Sequence, residues 1–408
     1  MKICSLYGAG FYYIPGTDTC IKVGGFVRAE VNFNAGGSFA VSFADRDART
    51  YNGQAWRSRA GITADARSPT AYGTLRGYVY LAATSDNSTA AAPANGTGAT
   101  AYTRLFAPVG FIQFAGFTAG KTGSFFDFDG FNYTNSSNVF GSANGGNGID
   151  LFAYTAQLGN GLSASIAAEN NNGHRLGYIN TLATQAAGGQ NMPDIVGNLR
   201  IDQAWGSAQV MGAAHQVNYG VNATDPEDKI GYAFGVGAKI NLPMLGKGDY
   251  IQGQFTWGKG AIDYVGSGLG QAQTVVQGGN TSFGPAWDSV GTAVGSADLT
   301  EGWSITGGYE HNWVPGWKTS LYGSYGKLEY SAAASATLQA VNAGTTVGSS
   351  ANWSYWQVGS RTVWTPVTNL DLSVEVMYQN QNTAFTGTAI GDNSWWSGMF
   401  RAQRNFYP

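Results

Sequence analysis

Charge is what this chain has least of. Asp, Glu, Lys and Arg make up 12% of its 408 residues, about half the usual share of roughly 25%. The signs nearly balance, 22 Lys and Arg against 25 Asp and Glu, so nucleic acid is not expected as a partner. No run of about 18 apolar residues occurs, which excludes a spanning helix. Amphipathic helical periodicity is also missing, because Gly and β-branched residues interrupt each candidate. Only three histidines are present, His174, His215 and His311. They lie far apart and lack metal-ligand spacing. Two of them read as loop or strand-face residues near a membrane surface. No Ser/His/Asp set stands in a strand–turn–helix context, so a hydrolase has no support and the protein is read as not an enzyme. No cofactor is implied and no metal site is assigned.

Cysteine is limited to Cys4 and Cys20. With Gly8, Gly10, Pro15 and Gly16 between them, they close a small loop in an oxidising compartment, worth ~3 kcal/mol in the chain-entropy model. Two free thiols in a reducing cell are the alternative. Met1-Lys2-Ile3 resembles a signal start, but Ser5, Tyr7, Gly8 and Gly10 follow too soon for an apolar region. The chain therefore reads as a mature form after signal-peptide removal.

What the chain does have is alternation. From Thr19 to Phe33, Ile21, Val23, Val27, Ala29, Val31 and Phe33 share one parity, and Lys22, Arg28, Glu30 and Asn32 the other. A period of two marks a strand with one apolar and one polar face. The pattern recurs in about ten-residue pieces, at about 19–33, 52–66, 71–84, 103–115, 117–123, 149–158, 162–171 and 195–205. It continues at about 207–218, 230–242, 250–259, 302–313, 317–330, 352–365, 370–382 and 395–406. That is sixteen strands, an even number. Short turns alternate with long Gly-, Ser-, Thr-, Ala- and Asn-rich connections. A soluble sandwich has little reason to sort its hairpins so, whereas an outer-membrane barrel has short periplasmic turns and long extracellular loops. A strand protein in lipid must be a closed barrel. Trp303, Tyr309, Trp313, Trp356 and Trp364 gather toward strand ends, as interfacial girdles do. Strands five, nine and thirteen resist assignment to faces.

The opening Lys2-Ile3-Cys4-Ser5-Leu6-Tyr7-Gly8-Ala9-Gly10-Phe11-Tyr12-Tyr13-Ile14-Pro15-Gly16-Thr17-Asp18-Thr19-Cys20 resembles the start of alphaproteobacterial general porins of the rhizobial type. Phe114-Ala115-Gly116-Phe117-Thr118-Ala119-Gly120-Lys121, Ser124-Phe125-Phe126-Asp127-Phe128 and Trp396 to Phe406 are similar to that family too. The resemblance implies an all-β transmembrane antiparallel barrel of sixteen strands. It also implies a homotrimer in the bacterial outer membrane whose third long loop folds into the pore. The outward Ala60 and Ala64 suit close packing between copies. The chain is then one barrel domain over 1–408, with an N-terminal disulfide loop at 1–20 and a constriction loop at 124–148.

Two local motifs carry little. Ala115 to Thr122 fits a loose nucleotide loop, but no helical stripe follows it to aim backbone amides at a phosphate. Asp127-Phe128-Asp129-Gly130 resembles a fragment of a calcium loop, yet no glutamate closes it, which excludes an EF-hand. A loose calcium contact at a loop stays open.

Charge pattern says more. Lumen-parity positions of the first three strands hold Lys22, Arg28, Arg57, Arg59 and Arg76, and Arg401 on the last strand becomes their neighbour once the barrel closes. One contiguous basic wall is expected, with Arg67 at its periplasmic end. The alternative is solvated charge scattered in a wet lumen. The inward loop brings Asp127 and Asp129 to face that wall. The reading is a general diffusion porin for small hydrophilic solutes and ions, surrounded by outer-membrane lipid and lipopolysaccharide. A substrate-specific porin would carry a run of lumen aromatics, of which Tyr78 and Tyr80 give a short stretch. A surface adhesin of extended β structure is a third reading.

Overall fold

Apolar residues face out and polar ones face in, the reverse of a soluble protein. In the computed structural model Leu105 and Phe152 are 77% and 75% exposed, while Gln379 and Glu375, on inward positions, are almost wholly buried. Residues 2–35, 38–39, 53–86, 102–128, 130–136, 140–141, 148–180, 187–220, 226–266, 284–293, 295–341, 346–347, 350–386 and 392–406 are described. Asp129 lies outside them.

Sixteen long strands among the described residues close into one antiparallel barrel. They are β1 (Cys20–Phe33), β2 (Gln54–Thr70), β3 (Gly73–Asp86), β4 (Tyr102–Phe114), β5 (Phe117–Thr122) and β6 (Ile149–Gly159). Next come β7 (Leu162–Glu169), β8 (Asp194–Gln203), β9 (Gly206–Val217), β10 (Lys229–Asn241) and β11 (Tyr250–Lys259). The set ends with β12 (Glu301–Val314), β13 (Trp317–Glu329), β14 (Trp353–Val367), β15 (Leu370–Asn382) and β16 (Asn393–Asn405). Each pairs with the next, and β1 closes on β16 from Phe26↔Asn405 to Phe33↔Gly398. Closure leaves no open edge, which is what lets backbone groups be satisfied in lipid. Every strand read from the alternation is present, β2 running furthest beyond its expected end.

Both ends of the barrel wall, Cys20 and Asn405, lie at the short-turn end. Here Cys4 is bonded to Cys20, and Tyr12–Tyr13 pairs with Cys20–Ile21. Outward rings form an aromatic belt in which Tyr232–Trp257, Trp303–Tyr325, Trp356–Tyr378 and Tyr378–Trp396 lie 5.0 to 5.5 Å apart. At the other end Trp317 stacks on Trp364 at 5.5 Å.

One helix forms where the sequence shows no amphipathic periodicity. Ala332–Val341 is an α-helix in a long loop. It is Ala-rich, Ser331 Oγ caps it by accepting the Ala334 N–H at 3.0 Å, and Ala334 and Leu338 bury one short stripe. A ten-residue helix so poor in large apolar residues has too narrow a stripe to read from periodicity. The unclear strands also resolve. On β13 Tyr322 points inward onto Tyr133 at 6.1 Å, while Tyr325 points outward beside Trp303.

Candidate functional site: the lumen and its inward segment

After β5 the chain turns into the barrel instead of leaving it. Ser124 Oγ donates to Glu169 Oε2 at 2.7 Å and the Phe125 N–H to Oε1 at 2.8 Å. Phe126 is fully buried among Leu151, Ala153, Val196, Met211 and Tyr264. The Phe128 N–H donates to Gln254 Oε1 on β11 at 2.8 Å. Further along, Glu375 on β15 accepts from Thr134 Oγ1 and from the Asn135 N–H, the latter at 2.9 Å. Arg361 Nη2 on β14 donates to the Asn132 carbonyl at 2.6 Å and to Glu310 at 2.8 Å. The described parts of 124–141 thus run across the inner face from β7 to β15.

Glycine makes the room. A Cβ on Gly237 would lie 2.4 Å from the Phe128 ring, on Gly308 2.5 Å from the Tyr133 ring, and on Gly326 2.4 Å from the Phe140 ring. Each ring fills the space that a side chain would otherwise take. Asp127 sits between two rings docked on this wall.

The opposite inner face, β1 to β4, is built of long side chains. Arg28 faces Arg59 across the pair, Arg57 faces Glu30, and Lys22 faces Asp65. Arg401 faces Glu30 from β16. The six basic residues expected on the wall therefore share one inner surface. Arg28 Nε donates to Gln403 at 2.8 Å and Arg59 Nε to Thr84 Oγ1 at 2.8 Å. Arg76 grips both oxygens of Asp65, at 3.0 and 2.9 Å, as does Arg67 at 3.0 and 2.7 Å. Lys22 Nζ donates to the Ala9 carbonyl at 3.4 Å. Arg401 is buried: it donates to Glu30 at 3.0 Å and to Asn135 Oδ1 at 2.7 Å, tying the inward segment to the seam of the barrel. Glu30 and Asp65 make the surface mixed, with net positive charge between them.

The comparisons with known proteins also point to porins. A family model described as a porin subfamily matches residues 1–400. The chain belongs to that porin subfamily. It is similar to Porin Omp2b of Brucella suis biovar 1 (strain 1330), 33% identical over 210 residues, which are 51% of this chain and 54% of that protein. The chain thus spans about half the length of that relative. The outer membrane channel DcaP of Acinetobacter baumannii has the same fold, with TM-score 0.68 at 15% identity over 97% of this chain and 99% of that one. The trimer form of OmpT of Vibrio cholerae superimposes with TM-score 0.53 at 10% identity over 96% and 100%. This porin resides in the bacterial outer membrane.

The structure of the porin adds residues that sequence reading missed. Phe106 and Phe111 have opposite parity, yet both face the lumen. The pairing passes from Tyr80↔Val109 to Ala82↔Phe106, one extra residue on β4, so a bulge at Ala107-Pro108 flips the register. It carries Arg104 inward with Phe106. The guanidinium groups of Arg59 and Arg104 lie 5.4 and 5.2 Å from the Phe106 ring.

The second missed group is a buried polar cluster beneath the long loops. His174 donates to Glu169 Oε2 at 2.8 Å and to Asp263 Oδ2 at 3.2 Å. His215 meets Asp194 at 2.9 Å, and Asp194 also accepts from Tyr264 Oη at 2.8 Å and Asn171 Nδ2 at 2.7 Å. Asp288 accepts backbone N–H groups of Leu176 at 2.7 Å and Ile262 at 2.9 Å. His174 lies in a loop and His215 on a strand, and both are fully buried, which the sequence reading did not foresee. No spacing signals this set, because its members come from β7, β8, β9 and the two long connections β7–β8 and β11–β12. Burial favours the neutral His174 ring, but the hydrogen bonds to Asp263 and Glu169 overcome it and raise its pKa to about 10. Burial pushes the Asp288 carboxyl up to about 6. Glu169 joins this cluster to Ser124 and Phe125, so the cap and the root of the inward segment share one anchor.

Proposed function

We propose that the protein is a passive diffusion channel, a water-filled hole through which small hydrophilic solutes and ions cross the outer membrane down their gradients. The observation that carries this reading is the seated segment, whose rings fill glycine gaps on one inner wall while long charged side chains line the other. A barrel of about sixteen strands is wide enough to be open unless something narrows it. The described parts of the segment from Ser124 to Gly148 are that narrowing element. Asp127 faces Lys22, Arg28, Arg57, Arg59 and Arg76 across the bore, while Arg401 holds the segment in place; Asp129, expected beside it, lies outside the described residues.

Opposed charges in a narrow, partly dehydrated passage make a transverse field. The field orders the dipoles of polar solutes and raises the barrier for apolar ones of equal size. The assembly is a homotrimer. That part rests on the family, on the trimer form solved for Vibrio OmpT, and on the small outward Ala60 and Ala64 of β2.

The test is the Arg57→Ser, Arg59→Ser double variant in a planar bilayer under a salt gradient. Cation preference should rise, and more at low salt than at high salt, because the screening length falls from about 30 Å at 0.01 M to about 3 Å at 1 M. Reversal potentials identical to those of the parent would remove these arginines from the constriction.

A further inference from the structure

We propose that the β1–β4 wall is a binding track for small anions that carry a flat unsaturated face, aromatic carboxylates being the simplest class. The proposal rests on the channel reading above and adds a substrate class to it. Cross-strand pairing stacks the wall in tiers. Toward the long loops Arg28, Arg59 and Arg104 share one tier through Thr84. Phe26 and Phe106 form the next, with Gly61 and Ala82 between them. Tyr80 follows, then Tyr78 stacked on Phe111 with ring centroids 5.3 Å apart. Arg76 and Arg67, sharing Asp65, close the series at the short-turn end. Arg104 is exposed and the other ring and guanidinium side chains are half-buried, so the track is open to the lumen.

Tiers on one face are two residues apart, about 7 Å, so a belt of cations, a band of rings some 14 Å long and a second cation pair follow one another down the bore. The cations lie against the rings. Arg28 is 4.9 Å from the Phe26 centroid, and Arg76 is 5.2 Å from those of both Tyr78 and Phe111. A guanidinium offers paired donors to a carboxylate, and a neighbouring ring takes a flat apolar body by offset or edge contact. A wall of charge alone would treat acetate and benzoate alike. A wall of rings alone would hold neutral solutes. Cation and ring one tier apart match a carboxylate attached directly to an unsaturated ring.

The purified porin in a planar bilayer tests this with benzoate and cyclohexanecarboxylate, which share charge and approximate size but differ in flatness. Benzoate should block the salt current about two- to tenfold more strongly, the range of one aromatic pairing. In the Phe106→Leu, Tyr78→Leu variant, which keeps the arginines, the ratio should fall to about one. Equal block by the two anions in the unaltered porin overturns the track, as does a ratio that survives the leucine pair. A porin that carries no salt current would instead overturn the channel reading and the track with it, a result distinct from salt conduction without preference.

Discussion

The two inner walls of this barrel obey the same alternation and do opposite things with it. On β1 to β4 the inward positions carry Arg, Tyr and Phe, half-buried and directed at the bore. On β10 to β13 they carry mostly Gly, Ser, Thr and Gln, with a few larger residues such as Tyr322, and residues such as Thr306, Ser320 and Gln254 are almost fully covered. The difference is side-chain size. Small residues leave a trough in which another stretch of chain can lie, so that wall is converted into packed interior. Long residues fill the bore themselves and stay wet. A period of two specifies which face is polar; residue volume decides whether that face becomes pore or foundation.

The covered wall is the more sensitive one, and its buried cluster should respond most. Glu169→Leu leaves His174 beside Asp263 alone and strips Ser124 and Phe125 of their acceptor. Removing one partner of a buried ion pair costs about 3–5 kcal/mol, and hydrogen exchange in 171–180 and 262–266 should rise accordingly. The same cluster sets a pH dependence. His174 has its pKa raised in the folded protein to about 10. Its contribution is fully present below the ordinary histidine value near 6.5 and is lost as pH rises through that folded value. Over that window the loops over the cluster should open more readily by about 1.4 kcal/mol per pH unit, read as the fall in protection factors between pH 7 and 10, which take out the base catalysis of exchange itself. His174→Gln should flatten the slope; an unaltered slope would assign it to other groups.

Next in size is the bond at the short-turn end. Cys4 and Cys20 are 16 residues apart, and a loop of that length is worth about 3 kcal/mol in the chain-entropy model. Reduction should free the N-terminal segment, including Tyr7 and Phe11, whose rings lie 5.8 and 4.9 Å from the Arg67 guanidinium. Cleavage by protease within 2–19 after reduction, with the barrel intact, is the expected result.

How much of this was readable beforehand follows the range of the interactions. Neighbouring strands, their faces and the basic residues of β1, β2, β3 and β16 depend on parity and turn chemistry, which are local. Phe106 was hidden by one inserted residue at Ala107-Pro108, since a bulge inverts every parity beyond it. Gly237, Gly308 and Gly326 could not be told from ordinary strand glycines, because their role is defined by rings about one to two hundred residues away. The His174 and His215 cluster is no more local, being assembled from five separate stretches of chain.

The glycine seats supply the sharpest contrast between the walls. Gly308→Ala places a Cβ 2.5 Å from the Tyr133 ring, and that ring has nowhere to retreat. It is fully buried between the wall and the segment's own backbone, with Phe131 edge-on at 6.4 Å. Overpacking of this kind costs about 1–3 kcal/mol, and the relief available is displacement of 131–136 toward the bore. Single-channel conductance should therefore fall. Unchanged conductance would show that the segment does not border the passage.

Gly61→Ala makes the matching change on the open wall and should have the smallest effect. Its Cβ would meet Tyr80 at 2.7 Å and Phe26 at 2.8 Å, still too close but a few tenths of an ångström longer than the closest approaches on the covered wall. Here the neighbours are ring atoms at the far ends of half-buried side chains that border water, so each can swing by a few tenths of an ångström into the lumen. The stability cost should stay below about 1 kcal/mol, under the usual range for an overpacked interior. The swing nevertheless moves two rungs of the aromatic band, so benzoate block should change while thermal stability hardly does. If Gly61→Ala destabilises the porin as much as Gly308→Ala, the two walls are equally rigid and side-chain volume alone does not separate pore from foundation.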